Sequence, residues 1–380
     1  MKHRQQHKKK RIAMIGMSVL GGGPLGQGVP MIADLIERIS PDFEIAFYSF
    51  NSTNTDGIPK TVTTYQTVKW KIPEKIKHWL LAMKLWIHHL SDPYSFIYAV
   101  SVFPTGQIAI RLGKILRRPV VVQLISLEAV ALTDIGYGNL SKPWLRKITE
   151  QVCRDADELV VISEFQREVA QKSLPTSRRI HVLPCGIDIR KFPVREKNIE
   201  MPVRFIHVAY YHPIKDQTTL FTAFARIAAE IPARLVVVGA GFEAADVLRM
   251  LNELNIADKV SCVGNIPQVE LPRYYADAHI MLHTSRFEAQ GTVTLEAMAS
   301  GVVVCATDVG GLAGIDRSYA ITVPPKDAEQ LAKKTIALIH DPLRYKKMQS
   351  AALDWVKQYD ADLTAEKYRM FFEAVANQKA

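Results

Sequence analysis

Residues 280–306 read IMLHTSRFEAQGTVTLEAMASGVVVCA and contain one complete strand–loop–helix–strand unit, the pattern on which the fold is built. The apolar run 280–283 predicts a short buried strand. Residues 284–291 form a polar stretch with one glycine, which is typical of a loop. Residues 292–300 have the composition of a helix, and the β-branched run 302–306 predicts a second strand. A strand, a helix and a second strand in this order predict a parallel pair joined by a crossover helix.

The same alternation extends along the chain in two blocks. Apolar strand runs are predicted at 11–17, 44–49, 96–100, 119–124, 158–163 and 180–184, with helices between them. The charged stretch 190–202 contains two prolines and predicts an inter-domain linker. A second block follows from 204 to 341, and a polar helical tail ends the chain.

We therefore predict an α/β protein with two Rossmann-like domains that face each other across a cleft. Residues 1–10 form a basic disordered tail, residues 11–195 the first domain and residues 201–361 the second domain. A helix at about 362–380 is expected to pack back on the first domain. Ligands of such sheets bind beyond the carboxyl ends of the strands, so the predicted site lies in the cleft.

Charge is distributed unevenly between the two halves. Residues 1–200 hold 29 Lys+Arg and 18 Asp+Glu, a net charge of +11, whereas the remainder holds 19 and 20, a net charge of −1. A basic first half indicates an anionic partner, such as a membrane surface or a phosphorylated acceptor. A solubilising surface together with the basic tail is the alternative. Recognised nucleic-acid modules have aromatic–basic motifs that this sequence lacks, so a nucleic-acid partner is not expected.

The cysteines and the hydropathy exclude several classes of protein. The four cysteines, Cys153, Cys185, Cys262 and Cys305, have no metal-ligand spacing, and Cys262 and Cys305 are predicted to be small core residues. A reducing compartment is the expectation. No apolar run has the ~18 residues needed to cross a bilayer. The apolar run after the basic tail is short and ends in three glycines, which is not typical of a signal peptide. We expect a cytoplasmic protein that is peripheral to the inner face of a membrane.

The loop and helix of the quoted segment carry two carboxylates. Glu288 lies in the loop and Glu296 about two helical turns later, with Gly291 near the start of the helix. A helix N-terminus after a glycine-containing loop offers free N–H groups to a phosphate, and the two glutamates can then reach either end of one ligand. The alternative is that both are ordinary surface acids near a helix start.

The segment 285–301 resembles the E-x7-E region of retaining glycosyltransferases of the GT-B architecture, in family 4. Residues 295–304 and the loop 306–311, Ala-Thr-Asp-Val-Gly-Gly, resemble the same family. The resemblance implies that Glu288 binds the sugar of a nucleotide diphosphate sugar and Glu296 the ribose. The backbone that would hold the diphosphate comprises Ala289, Gln290, Gly291 and Thr292.

Three further segments resemble parts of this family. Lys215 matches a lysine that binds the donor diphosphate, whereas Tyr210 stands where the family has an arginine. Gly264 and Asn265 lie in a loop that resembles the one contacting the nucleotide base. The glycine-rich turn at 21–26 would place Gly22 and Gly23 near the donor phosphates or the acceptor, although a turn that requires positive φ explains it equally well.

Other departures concern Gln290, where an aromatic residue is usual, and Ile125, where the family has an acceptor-side histidine. Nearby Glu128 is a candidate to face the cleft. The spacing at 21–26 differs from a dinucleotide fingerprint, and no Asp-x-Asp pair follows a strand, so neither a cofactor nor a metal is expected. Lys215 and Glu288 are the predicted catalytic residues.

Residues 69–90 predict a basic amphipathic helix. Its apolar stripe comprises Ile76, Trp79, Leu80, Met83, Trp86, Ile87 and Leu90, with Lys75, Lys77 and Lys84 beside it. We expect this stripe to pack on the first sheet; a membrane-bound helix is the alternative.

The predicted function is transfer of a sugar, with retention, from a nucleotide diphosphate sugar to a hydroxyl of a glycan or lipid-linked acceptor. Synthesis of a cell-surface polysaccharide or glycolipid is the expected role. The alternatives are a nucleotide-sugar epimerase or phosphorylase of the same fold, and a non-catalytic sugar-nucleotide-binding protein.

Overall fold

The computed structural model describes residues 9–16, 30–50, 62–66, 72–195 and 197–378. It divides into two compact units. The first comprises residues 1–162, 166–186 and 362–380, and the second comprises 163–165 and 187–361. The predicted tail residues 1–8 and the predicted glycine loop with Gly22 and Gly23 lie outside the described residues.

The first unit is built on a seven-stranded sheet in which every pairing is parallel. Its strands are β1 (Lys10–Gly16), β2 (Phe43–Ser49), β3 (Thr63–Gln66), β4 (Phe96–Val100), β5 (Val120–Gln123), β6 (Glu158–Val161) and β7 (Ile180–Val182). Its helices are α1 (Pro30–Ile39), α2 (Glu74–Ser91), α3 (Gln107–Leu116), α4 (Pro143–Asp155) and α5 (Glu164–Ser173). The strand order is β3-β2-β1-β4-β5-β6-β7. The sequence did not predict β3, a short polar strand at the sheet edge.

The second unit has a six-stranded parallel sheet in the order β10-β9-β8-β11-β12-β13. The strands are β8 (Val203–Val208), β9 (Ala233–Val238), β10 (Val260–Gly264), β11 (Ile280–His283), β12 (Val303–Thr307) and β13 (Ile321–Val323). The helices are α6 (Gln217–Glu230), α7 (Ala245–Glu253), α8 (Leu271–Asp277), α9 (Thr292–Ala299), α10 (Ala328–Ile339) and α11 (Pro342–Val356). The α/β prediction of two parallel, Rossmann-like sheets is confirmed.

Both faces of the second sheet are buried. Phe205 and Leu235 belong to one apolar cluster, whereas Ile206 and Met281 belong to another. Successive strand side chains point to opposite faces, so continuous apolar runs are what a sheet covered on both sides requires.

The last helix, α12 (Ala361–Ala376), packs in the first unit. The Phe372 ring contacts those of Phe96 and Tyr98, with centroids 5.3 and 5.1 Å apart. The Tyr368 hydroxyl donates to the carbonyl of Leu183 at 2.8 Å. Aromatic burial on this scale fixes the chain end to the sheet of the first unit.

The unit boundary falls at residues 186–187, earlier than the end of the first domain that we predict at 195. Ile187 bridges to Asp360, and Phe192 packs in a core of the second unit. Within the charged stretch 190–202, Lys197 is buried and donates to the carbonyls of Tyr275 and Ala278. Charge and proline content indicate a linker, but they do not show that such a stretch lies against its own domain.

The expectation that the apolar stripe of α2 packs on the sheet is wrong. The buried residues of α2 are Leu81, Leu85 and His89. Most of the predicted stripe is exposed instead: Ile76 47%, Trp79 62%, Met83 36%, Trp86 41%, Ile87 50% and Leu90 63%. The helix is apolar on two faces, and periodicity alone does not tell which face meets the sheet.

The prediction that Cys262 is a core residue is also wrong. Cys262 is exposed, whereas Cys305 is buried. Cys262 lies on β10, which is an edge strand, and Cys305 lies on the interior strand β12. An edge strand has a neighbour on one side only, so an apolar run there does not ensure burial.

Candidate functional site

The sheet order of the second unit brings two loops together. β8 and β11 are neighbours, and the chain leaves β8 toward one side of the sheet and β11 toward the other. This is the topological switch point, where ligands of open parallel sheets bind beyond the strand carboxyl ends. The loop after β8 carries Tyr210 and Lys215, and the loop after β11 carries Glu288.

Hydrogen bonds hold these two loops side by side. The Arg286 backbone N–H donates to the carbonyl of Ile214 at 2.7 Å. The Thr284 hydroxyl donates to the carbonyl of Lys215 at 2.9 Å. His212 accepts the N–H of Ile214 through Nδ1 at 3.1 Å and caps the short turn that carries Lys215. These hydrogen bonds hold the backbone that carries Lys215 against the loop that carries Glu288.

Glu288 is the centre of a polar cluster. Its Oε1 lies 2.5 Å from Lys215 Nζ, accepts from the Ser285 hydroxyl at 2.6 Å and lies 3.1 Å from His283 Nε2. Only 14% of the Lys215 and Glu288 side chains is exposed. Burial by itself raises the pKa of Glu288, but the charge of Lys215 and the hydrogen bond from His283 outweigh it and hold that pKa well below its ordinary value. Glu288 is therefore an anion at neutral pH.

Two buried histidines support this cluster, and the sequence analysis did not identify them. His283 is the last residue of β11 and is 1% exposed. The ring of His207 on β8 stacks on it, with centroids 6.2 Å apart. Burial and the neighbouring His283 lower the pKa of His207 to about 3, so His207 is neutral. Its Nδ1 donates to the carbonyl of Leu282 at 2.8 Å, which fixes the tautomer. The signal was present in the sequence, since each histidine follows buried apolar residues near the carboxyl end of its strand.

Glycines allow the loops around Glu288 to approach closely. Gly291 has φ 82° and precedes the first turn of α9. Gly310 has φ 65°, and a Cβ there would lie 2.7 Å from Glu288 Cβ. The N–H of Gly311 donates to the carbonyl of Gln290 at 2.7 Å. The N–H of Thr294 donates to the carbonyl of Gly291 at 3.0 Å, whereas the N–H groups of Thr292 and Val293 have no acceptor within the helix and suit an anionic group.

Glu296 is more deeply buried than a surface acid near a helix start. It is 6% exposed, and the hydroxyl of Tyr275 lies 3.1 Å from its Oε2. Burial raises the pKa of Glu296 to about 7, although the hydrogen bonds from Tyr275 and Gln268 oppose this. The two glutamates of the motif are therefore in opposite electrostatic settings.

The other predicted donor-site residues lie at or after the carboxyl ends of strands of the second sheet. Tyr210 is 52% exposed, and Lys215 Nζ lies 5.7 Å from the centre of its ring. Gly264 ends β10 with φ 78°, and Asn265 follows it. Ala289 and Gln290 are buried. A tyrosine beside Lys215 offers a ring and a hydroxyl, but no second positive charge.

The acceptor-side candidate Glu128 is 2% exposed. Its Oε2 accepts the N–H of Ser126 at 2.8 Å, and burial raises its pKa. These contacts assign it to the packing of the loop after β5. Within residues 9–378, excluding the gaps given above, no cluster of three or more His, Cys, Asp or Glu suits a metal ion. No helix among the described residues has the length and apolar character to span a membrane.

Two family models together cover residues 34–355. Residues 34–191 match the model described as Glycosyltransferase Family 4, and residues 188–355 match Glycosyl transferases group 1. The adjoining matches, together with the two parallel sheets, place the chain in a family of enzymes: it belongs to the GT-B glycosyltransferases of family 4. The resemblance seen in the sequence is confirmed.

Among curated proteins, the chain is similar to the gpi3 subunit of phosphatidylinositol N-acetylglucosaminyltransferase from Schizosaccharomyces pombe. The two are 24% identical over 249 residues, which is 64% of this chain and 54% of the relative. It is 29% identical over 180 residues to N-acetyl-alpha-D-glucosaminyl L-malate synthase from Bacillus anthracis, or 46% of each chain. The similarity thus spans about half the length of these relatives.

The fold is shared with solved structures over nearly the whole chain. HepE from Anabaena in complex with UDP-glucose superposes with a TM-score of 0.75 at 18% identity, covering 96% of this chain and 99% of that protein. At this identity the similarity establishes the GT-B fold.

Proposed function

We propose that this protein is a retaining glycosyltransferase that moves a sugar from a nucleotide diphosphate sugar to an acceptor hydroxyl. The observation that carries the proposal is the Lys215–Glu288 pair at the switch point of the second sheet, with Nζ and Oε1 2.5 Å apart. Family membership supports the reaction class, and the binding of UDP-glucose by the structurally similar HepE protein supports the donor class.

Lys215 has a defined part in this proposal. Its ammonium group pairs with Glu288. A donor diphosphate would pair with Lys215 in place of Glu288. Glu288 would keep the hydrogen bonds from Ser285 and His283 and would accept hydrogen bonds from hydroxyl groups of the sugar. The ion pair therefore keeps both groups charged and buried until the donor replaces one half of it.

The chemical step would depend on electrostatic stabilisation of the leaving group. Negative charge builds on the diphosphate as the bond to the sugar breaks. Lys215 and the N–H groups at the start of α9 are the fixed positive groups beside that position, and no metal is required in this scheme. In this scheme the acceptor oxygen bonds to the anomeric carbon on the face from which the diphosphate leaves, as retention requires, and the hydroxyl proton passes to the departing diphosphate oxygen. Holding donor and acceptor in this arrangement would supply the remaining rate enhancement.

We propose a glycolipid or surface-polysaccharide intermediate as the acceptor, at the cytoplasmic face of a membrane. The relative from Schizosaccharomyces pombe is named as a subunit of a phosphatidylinositol N-acetylglucosaminyltransferase. The excess of positive charge in residues 1–200 favours an acceptor that bears phosphate.

Donor binding is tested by thermal unfolding with UDP, GDP and ADP, each with its common sugar derivatives. A nucleotide at 100 times its dissociation constant should stabilise the protein by about 2.7 kcal/mol. Lys215→Ala should lose most of this stabilisation, whereas Lys347→Ala, a change at an exposed lysine of α11, should retain it. No stabilisation by any of these nucleotides would overturn the donor site.

Turnover is tested by release of the nucleotide from the donor that binds, with the anomeric configuration of the product read by NMR. Retention of configuration is expected, and Glu288→Gln should slow turnover by at least about 100-fold. Inversion would contradict the mechanism. Tight donor binding without turnover or transfer would instead favour a sugar-nucleotide-binding protein, for which Tyr210 in place of arginine is the supporting observation.

A further inference from the structure

The outer surface of α2 carries a continuous apolar strip. At 100° per residue, Ile76, Trp79, Met83, Trp86, Ile87 and Leu90 fall within an arc of about 100°. Each is 36–63% exposed, and the helix is 18 residues long. From Ile76 to Leu90 the strip is therefore about 21 Å long, at 1.5 Å per residue, and it lies opposite the buried residues Leu81 and Leu85. Monomeric soluble proteins rarely leave a patch of this size uncovered.

A groove of about 1170 Å³ runs beside this strip, between α2 and α3. Trp79 and Met83 line it from α2, and Ile108, Leu112 and Ile115 line it from α3. Ile115 is itself 66% exposed. The strip and the groove form one apolar surface in the first unit, which we call the α2–α3 face.

The α2–α3 face has an excess of positive charge. The two helices carry five Lys or Arg residues and a single acid, Glu74, which pairs with Lys77 at 2.6 Å. Lys114 of α3 pairs with Asp155 of α4 at 2.7 Å. Lys75 and Arg111 border the groove, and neither makes an ion pair with any residue that the structure describes. An apolar surface with unpaired cations at its rim is complementary to an anionic lipid layer, in which the acyl region lies beneath the phosphates.

We propose that the α2–α3 face binds the surface of an anionic phospholipid bilayer. Helix α2 lies in the interfacial layer, with Trp79 and Trp86 at headgroup depth and the groove open to acyl chains. This inference rests on the proposed function, because a lipid-linked acceptor is met at a bilayer. The first unit thereby attaches to the membrane that contains its acceptor.

Two other occupants of the face fit less well. A single lipid chain in the groove would leave Ile87 and Leu90 in water, because they are exposed outside the residues that line it. A second copy of the chain would bring the cations at the rim, Lys75 and Arg111, close to their own counterparts, and like charges at an interface oppose association.

The test is co-sedimentation of the full chain with vesicles of phosphatidylcholine alone or of phosphatidylcholine and phosphatidylglycerol in equal parts. We expect binding to the anionic vesicles that weakens with added salt. The double change Trp79→Ser and Trp86→Ser should weaken binding by more than about tenfold. Lys75→Gln with Arg111→Gln should weaken it by about 25-fold, at about fivefold for each cation.

The matched control replaces Leu343 and Met370, which are 75% and 65% exposed elsewhere, with serine and should bind as the parent does. Equal binding by the parent and the Trp79 and Trp86 double variant would overturn the inference. Two other results would also overturn it: a dimer of the parent that is absent from the double variant, or uptake of a soluble fatty acid without vesicle binding. Nucleotide-induced stabilisation measured on the same samples separates the two proposals, because the serine variants leave the donor site intact.

Discussion

Replacing Lys215 with methionine tests whether the Lys215–Glu288 pair is a buried ion pair that the fold requires. Methionine matches the lysine side chain as far as Cε and removes the ammonium group with its charge. Glu288 would then remain 14% exposed with hydrogen bonds from Ser285 and His283 but without its cation. The expected result is a less stable second unit, because a carboxylate without its cation is left in a buried site.

The size of the effect follows from the geometry. Removing one partner of a buried pair costs about 3–5 kcal/mol. Residual exposure and the two remaining hydrogen bonds reduce this, so we expect about 2–3 kcal/mol at pH 7. For a unit of this size, that lowers the melting temperature by about 4–12 °C.

The difference in stability between the parent and Lys215→Met should depend on pH. In the parent, the pKa of Glu288 is lowered by folding, so its contribution to stability is full above the unfolded pKa of about 4.3 and is lost only as the pH falls through the folded value. In Lys215→Met, burial without the cation raises the pKa of Glu288, so the variant gains stability as the pH falls from 7. The two proteins should therefore melt closer together at pH 4.5 than at pH 7.

Differential scanning calorimetry of the ligand-free protein at both pH values measures the gap. Lys347→Met, at an exposed position of α11, should change the free energy of unfolding by less than about 0.5 kcal/mol. The reasoning is refuted if Lys215→Met melts together with this control at pH 7, or if the gap from the parent widens in acid.

Two more substitutions test the site. Burial raises the pKa of Glu296 to about 7, so folding takes up a proton between about pH 4.3 and 7 and stability falls as the pH rises through that window. Glu296→Gln should flatten the plot of melting temperature against pH in this window. An unchanged slope would show that Glu296 is not the group responsible. Gly310→Ala adds a Cβ 2.7 Å from Glu288 Cβ at φ 65°, whereas Gly314→Ala adds one at φ 67° with no atom within 4 Å. Both changes should cost about 1–2 kcal/mol in backbone strain, and Gly310→Ala should cost more than Gly314→Ala because its Cβ also meets Glu288. Only Gly310→Ala should weaken stabilisation by a nucleotide diphosphate. Equal nucleotide binding in both variants would contradict the packing role of Gly310.

The strands and helices were largely predictable, because local patterns determine them. Buried parallel strands are short apolar runs, and the stretches between them had the composition of helices, so most elements agree with the structure to within one or two residues. The exception among the strands was β3, which is short and polar. The burial of Cys262 was also predicted wrongly, because this residue lies on an edge strand, where an apolar run does not imply burial.

The candidate site was predictable only in part. The motif placed Glu288 in a strand-to-helix loop, where the structure has it, and Lys215 in another such loop. The contacts of Glu288 with His283 and Ser285, and the stacking of His207 beneath them, needed the structure. These contacts depend on which strands are neighbours, and a pattern of alternating strands and helices is compatible with many strand orders.

The sequence alone determined that this chain forms two parallel α/β blocks with a glycosyltransferase motif in the second, because strand runs, helical periods and motif spacing are local properties. Only the tertiary structure decided which groups meet. The order β10-β9-β8-β11 joined Lys215 to Glu288 across 73 positions of sequence. Packing against the first sheet took up Leu81 and Leu85 and left Trp79 and Trp86 exposed. A helical period identifies side chains that share a face, but the surface that covers each face is set by elements distant in the sequence.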